Sequence, residues 1–423
     1  MDKFIIQGNT PLQGNLHISG SKNAALPLIA ASLLADDKVT IDNIPGLNDI
    51  LTFNNVLRVT GARVDYDEHN HSLTVDPKHI SFLEAPYDLV RKMRASFYML
   101  GDLMGRFGKA KVSLPGGCAW GPRPVDLHLE GLKALGAEIK MEGGYVIAKA
   151  RNGRLDGGSF TLKPSSVGAT VNILLGAVLA KGDSIIDNAA REPDVVYLCE
   201  ALNQMGAKIS GAGTSRLTVQ GVDNLSGSTL RNSPDRIEAG TYMIAAIMHP
   251  ESNLTLTNLR SSDLGSFIKT FRKLDIGLQV GEEEITIQAP EKINPLSVTT
   301  EIYPGFPTDL QAQWATMMTQ AEGSCKVKDK IYTDRFSYVP ELVRLGADLK
   351  LKGNTVDITG KTPLKGASIM STDLRASVSL VLAAMIADGQ SEVLRVYHLD
   401  RGYEKLEEKL NAVGAKIERV ATV

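Results

Sequence analysis

The alternation of apolar and polar positions separates two kinds of helix from many short strands. From Lys22 to Ala35, Leu26, Ile29, Ala30, Leu33 and Leu34 follow helical spacing, and Lys38 to Asn43 then reads as a strand. Comparable helices begin near Arg94, Ser166, Ile237, Asp309 and Asp373. Their apolar residues cover most of the circumference, which predicts six interior helices. A second kind, such as Leu127 to Leu135, is apolar on one face and predicts an outer helix. A hairpin follows it: Ala137 to Met141, a turn at Gly143-Gly144, and Tyr145 to Ala150.

The outer helices share an exit, Gly-Ala-x-aliphatic, at Gly61, Gly136, Gly206, Gly346 and Gly414. These glycines are 75, 70, 140 and 68 positions apart, and a worn copy, Leu274-Asp275-Ile276-Gly277-Leu278, fills the double gap. The spacing predicts six units of about 70 residues, each reading strand, helix, strand, helix, strand, strand. An open solenoid would leave wholly apolar helices uncovered, so two closed globes of three units each are expected, with a boundary near Asn232.

Composition narrows the class. The chain has 423 residues, too many for one ordinary core, and its 43% hydrophobic and 22% charged content is that of a globular protein. A formal net charge of −2 excludes a globally basic nucleic-acid-binding surface and leaves room for a local cationic cleft. The start, MDKFIIQGN, lacks the pattern of a secretory signal, and no apolar run approaches the ~20 residues of a membrane span. Cys118, Cys199 and Cys325 are widely spaced and odd in number, which argues against a disulfide framework or a zinc site and fits a reducing cytosol.

Candidate chemistry gathers at the starts of the inner helices. Ser21, Ser166, Asp235, Thr308, Asp309 and Asp373 are ordinary N-cap types. Lys22, Arg94, Arg236 and Arg375 are not, because a cation at the positive end of a helix is unfavourable unless an anion faces it. Each alone reads equally well as a solvated or paired surface charge; their recurrence points to an anion site, which helix N-termini also favour. The second constellation is Leu114-Pro115-Gly116-Gly117-Cys118-Ala119-Trp120-Gly121-Pro122-Arg123-Pro124-Val125-Asp126-Leu127. So much glycine and proline predicts a shaped loop. Arg123 near Cys118 would lower its thiol pKa, whereas Cys199 and Cys325 read as buried inert thiols. Arg335 and Arg401 each precede an outer helix, where a cap or surface ion pair is the simpler reading.

The motifs Gly20-Ser21-Lys22-Asn23-Ala24-Ala25, Met93-Arg94-Ala95-Ser96, the Cys118 loop, Ala190-Arg191-Glu192-Pro193, Pro234-Asp235-Arg236-Ile237-Glu238, Phe306-Pro307-Thr308-Asp309, Thr372-Asp373-Leu374-Arg375-Ala376-Ser377 and Asp400-Arg401-Gly402-Tyr403-Glu404 stand in one order along the whole chain. Together they resemble the UDP-N-acetylglucosamine enolpyruvyl transferases; enolpyruvylshikimate phosphate synthases share the architecture without the Cys118 loop. The resemblance implies an α/β fold of two inside-out α/β barrel domains, each of three βαβαββ repeats. Residues 21–232 would form the first, carrying the Cys118 loop, and 1–20 with 233–423 a discontinuous second. It also implies a cytosolic transferase without cofactor or metal that joins phosphoenolpyruvate to the 3-hydroxyl of UDP-N-acetylglucosamine for peptidoglycan synthesis, and that neither binds nucleic acid nor enters a membrane.

By the same resemblance Lys22, Arg123 and Arg401 hold phosphoenolpyruvate, and Asn23 lies between the substrates. Arg94, Arg123, Pro124, Val125, Asp126, Leu127, Ser166, Val167, Gly168 and Ile331 contact the nucleotide sugar. Asp309 faces the sugar hydroxyl, and Arg335, Asp373 and Arg375 surround the reacting centre. Cys118, as acid or as nucleophile, covers the reacting atoms from a lid and would be alkylated by the epoxide fosfomycin. Some members carry a lysine where this chain has Pro164; Lys163, one earlier, is an open substitute. Two other readings stand beside this one: transfer to another acceptor such as shikimate 3-phosphate, and a catalytically silent paralogue that binds the nucleotide sugar.

Overall fold

The computed structural model describes residues 2–91, 93–115 and 125–421, Arg94 by its backbone alone. It contains two compact units, residues 20–233 and residues 1–19 with 234–423. Each holds three four-stranded sheets with one strand order throughout. In residues 20–233, for example, Glu84–Ala85 runs parallel to Lys109–Ser113, which pairs antiparallel with Tyr145–Ala150, which pairs with Ala137–Glu142. In this sheet the inner helix Met99–Phe107 links the parallel pair, and the outer helix Asp126–Ala134 leads into the hairpin.

The inner helices are α1 (Lys22–Ala31), α2 (Met99–Phe107), α3 (Val167–Ala177), α4 (Arg236–Ile247), α5 (Gln311–Met318) and α6 (Leu374–Ile386). Every residue is buried from Ala169 to Ala177 in α3, from Ile237 to Ile247 in α4 and from Arg375 to Met385 in α6. They form the centre of each unit with the sheets outside, as the circumferential apolar pattern predicts. Small residues set the crossings: a Cβ on Gly101 of α2 would stand 2.3 Å from the carbonyl oxygen of Asn172 in α3.

Side chains cap four inner helices. Ser21 accepts from Ala24 N, Ser166 from Ala169 N, Asp235 from Ile237 N and Glu238 N, and Asp373 from Arg375 N and Ala376 N. Each such cap contributes about 1 kcal/mol. The other two open differently, through 3-10 turns at Arg94–Tyr98 and Thr308–Leu310, with no side-chain cap. Of the helix-start aspartates Asp235, Asp309 and Asp373, Asp309 is therefore the one whose carboxylate is not committed to capping amides.

The five Gly-Ala exits place their glycines in the left-handed region, with φ of 98°, 93°, 109°, 102° and 113°. In the worn copy Asp275 adopts that conformation instead, at φ 55°, which explains the displaced glycine. Strands distant in sequence close each unit. Thr229–Arg231 pairs parallel with Val39–Asp42, placing Leu230 opposite Ile41. Gln13–His17 pairs with Asn253–Thr257, and Asp2–Gln7 lies between Gln390–Leu394 and Lys416–Ala421. No helix among the described residues is long and apolar enough to cross a membrane.

Candidate active site

In the unit of residues 1–19 and 234–423, Asp309 is gripped from two sides. Its Oδ1 accepts from Arg335 Nη1 at 2.7 Å and its Oδ2 from Arg375 Nη2 at 2.9 Å. Burial by itself pushes the Asp309 carboxyl up, but the charges of Arg375 and Arg335 outweigh it and hold the group far below the ordinary carboxylate range. A quarter of the side-chain surface, 25%, still meets solvent, which screens part of that attraction.

Both arginines are themselves oriented. Arg375, the second residue of α6 and buried, donates from Nη1 to Tyr403 OH at 3.2 Å, and its guanidinium carbon lies 5.7 Å from the centre of that ring. Tyr403 OH stands 2.8 Å from Thr241 Oγ1, and Gln313 Nε2 bridges Thr241 and the carbonyl of Asp309 at 3.1 and 2.9 Å. Arg335 Nη1 also donates to Thr308 Oγ1 at 3.2 Å. Asp373 caps α6 and accepts from Ser337 Oγ at 2.8 Å, tying the Arg335 segment to the same helix start. Asp235, the cap of α4, is pushed up to about 6 by burial, an effect that nearby Arg375 opposes and Glu238 reinforces. Ile331 is 37% exposed, and Arg401 ends the 3-10 turn Val396–Arg401.

In the unit of residues 20–233, Lys22 opens α1 and pairs with Asp49 at 3.0 Å, while Asn23 beside it is exposed. Val125 is buried at the start of the outer helix Asp126–Ala134, with Asp126 exposed and Leu127 half-buried. His128 on that helix connects it to the start of α3. Its Nδ1 accepts from Asn172 Nδ2 at 2.9 Å, and a Cβ on Gly168 would meet its ring at 3.2 Å. This brings Val125, Asp126 and Leu127 near Ser166, Val167 and Gly168. Lys163 is exposed ahead of that turn. Cys118, Arg123, Pro124 and the Arg94 side chain lie outside the described residues.

Cations at the starts of helices imply a facing anion, and for Lys22 and Arg375 the protein supplies it, as Asp49 and Asp309. Arg236 lies over the Tyr303 ring at 5.9 Å. The position of these cations is therefore not, by itself, a sign of bound ligand. Sequence reasoning also passed over Asp49, Tyr403, Thr241 and Gln313. Tyr403 stands inside the Asp400-Arg401-Gly402-Tyr403-Glu404 motif and was open to notice; Asp49, in the first turn of an outer helix, looks like any helix-start acid. Cys199 and Cys325 are buried, their thiols pushed up to about 12 and about 11 by burial, in keeping with inert roles.

Each unit, with its buried inner helices inside three four-stranded mixed sheets, has the architecture of the enolpyruvyl transferases. The chain belongs to the family described as EPSP synthase (3-phosphoshikimate 1-carboxyvinyltransferase), which matches residues 6–410. Among curated relatives, a protein of Chloroherpeton thalassium named UDP-N-acetylglucosamine 1-carboxyvinyltransferase is 52% identical, over 99% of this chain and 97% of its own length. One of the same name from Zymomonas mobilis is 48% identical over 99% of this chain and 100% of its own. Among solved structures, the enolpyruvyl transferase NikO from Streptomyces tendae superposes with a TM-score of 0.90 at 26% identity, covering 100% of this chain and 99% of that one. EPSP synthase from Acinetobacter baumannii, at 17% identity, covers 100% of both chains with a TM-score of 0.78 and shares the fold.

Proposed function

We propose that this chain transfers the enolpyruvyl group of phosphoenolpyruvate to the 3-hydroxyl of UDP-N-acetylglucosamine, releasing phosphate, as a cytosolic enzyme of peptidoglycan precursor synthesis. The observation that carries a catalytic reading is Asp309: partly buried, free of capping duty, and kept ionised by two guanidinium groups. The names of full-length relatives supply the acceptor.

In this reading the sugar hydroxyl gives its proton to Asp309 as its oxygen bonds to C2 of phosphoenolpyruvate, and C3 gains a proton. The C2–O bond to phosphate then breaks and a C3 proton leaves, restoring the double bond in the product. Cys118 is the proposed acid for C3, and Lys22, Arg123 and Arg401 the cations that stabilise charge growing on phosphate. Asn23, Arg94, Val125, Asp126, Leu127, Ser166, Val167, Gly168 and Ile331 serve the nucleotide sugar; Asp373 orients the start of α6. A carboxylate held so low is a weak base in the free protein. Bound phosphoenolpyruvate and diphosphate add negative charge nearby and would raise its affinity for a proton, so base strength develops with substrate present.

The test is direct. Incubated with phosphoenolpyruvate and UDP-N-acetylglucosamine, the protein should yield one phosphate for each nucleotide product heavier by one enolpyruvyl group, read by mass spectrometry. Product from shikimate 3-phosphate instead, or nucleotide binding without product, would replace this reading with one of its two rivals.

A further inference from the structure

Asp329 ends the strand Cys325–Asp329, is fully buried, and takes no part in the proposed bond changes. Its carboxylate nevertheless collects four donors. Oδ1 accepts from Thr300 Oγ1 at 2.7 Å and from the amides of Ile331 and Tyr332 at 2.8 and 2.9 Å. Oδ2 accepts from Thr308 Oγ1 at 2.6 Å. Thr308 has one hydroxyl proton; aimed at Asp329, it leaves the oxygen lone pairs for Arg335 Nη1, 3.2 Å away, the same nitrogen that is 2.7 Å from Asp309 Oδ1.

We propose that Asp329 is a positioning residue for the reaction, a single buried anchor that fixes both the turn carrying Asp309 and the segment carrying Ile331 and Arg335. The inference rests on the reading of Asp309 as base. The two segments are separate in sequence, and Asp329 bonds to each. Its grip on consecutive amides sets where the chain turns after the strand, and so where Arg335 begins its reach. Its bond to Thr308 holds the neighbour of Asp309 in the 3-10 turn. Misplacement by about 1 Å at such a site costs on the order of 10²-fold in rate. The anchor also acts on Asp309 chemically, because an Arg335 that drifts away holds that carboxylate less firmly in its ionised form.

The test uses the full-length protein and three variants. Asp329→Asn removes one acceptor oxygen, so either Thr308 or the two amides together with Thr300 must lose that acceptor. Thr308→Val removes the hydroxyl that joins Asp329 to Arg335 and leaves the buried carboxylate with its other three donors; it serves should Asp329→Asn fail to fold. Amide hydrogen exchange over residues 330–335 should quicken in Asp329→Asn. In both variants kcat should fall about 10–100-fold, beyond any change in KM, with the acid limb of its pH profile moved to higher pH. Thr308→Ser, which keeps the hydroxyl, should recover most of the kcat lost in Thr308→Val. Unchanged exchange in folded Asp329→Asn, or unchanged kcat and acid limb in folded Thr308→Val, would overturn the proposal. A wild-type protein that makes no enolpyruvyl product would sink the catalytic reading separately. In that event exchange and the 13C carboxyl titration of Asp309, expected to shift upward in Thr308→Val, still decide whether Asp329 sets this geometry.

Discussion

Each unit carries an aspartate at an inner helix, and the two have been driven in opposite directions. Asp102, in α2, is completely buried, and neither carboxylate oxygen has a hydrogen-bond partner among the described residues. Burial alone pushes it well above the usual range, which favours its neutral, protonated form. Asp309, ahead of α5, is pushed the same way by burial and pulled back further by Arg375 and Arg335. The same side chain is thus a passive core group in one unit and a held charge in the other. Partners decide this, and depth does not: burial raises both carboxyls, and Asp309 is held charged because the fold brings Arg375 and Arg335 to it.

The sharpest way to break that contrast is Asp309→Asn, which keeps the shape and removes the charge. Turnover should fall by about 10²–10⁴-fold, the range for a positioned acid or base, whereas Asp102→Asn should leave turnover near that of wild type. Equal losses in the two variants, measured by phosphate release, would show that Asp309 is no more special than a core group.

Stability should respond in the reverse sense. The folded state keeps a proton on Asp102 that the unfolded chain releases above about pH 4. Its stabilisation is therefore complete below that pH and is lost as pH rises towards the elevated folded value. Asp102→Asn, which mimics the protonated form, should raise Tm at pH 8 by roughly 2–4 °C, the shift produced by about 1 kcal/mol in a domain of this size. The gain should shrink as pH falls towards about 4. Asp309 has the opposite linkage: its contribution is present above about pH 4 and lost as pH drops through its depressed folded value. A wild-type Asp102 as stable at pH 8 as its amide would break the comparison from the other side.

These two aspartates also mark what a single chain reveals. The inner helices were legible because apolar residues cover most of their circumference, and the repeats because each outer helix leaves through Gly-Ala with glycine at positive φ. Asp309, Arg335 and Arg375 were legible as members of motifs, while their mutual contact was not, since they come from three segments that only tertiary packing joins. Asp102, within Met99-Leu100-Gly101-Asp102-Leu103-Met104, offers no sign that its face is covered by another helix. Asp329 looks like an ordinary polar residue at a strand end, and its four donors come from distant as well as adjacent positions. The strand pairings of Thr229–Arg231 with Val39–Asp42 and of Asp2–Gln7 with Gln390–Leu394 and Lys416–Ala421 lie beyond any local pattern. Local periodicity specifies elements; closure of the sheets is non-local.

What the molecule brings to the reaction, on this account, is a carboxylate kept charged by two arginines. Selective 13C labelling of aspartate carboxyls, with Asp102→Asn and Asp309→Asn used to assign the two signals, reads that state in the folded protein. The account predicts an Asp309 signal still ionised at the lowest pH the fold tolerates and an Asp102 signal still protonated at neutral pH. Two ordinary midpoints near pH 4, or an Asp309 signal that protonates before the bulk of the aspartates, would contradict it.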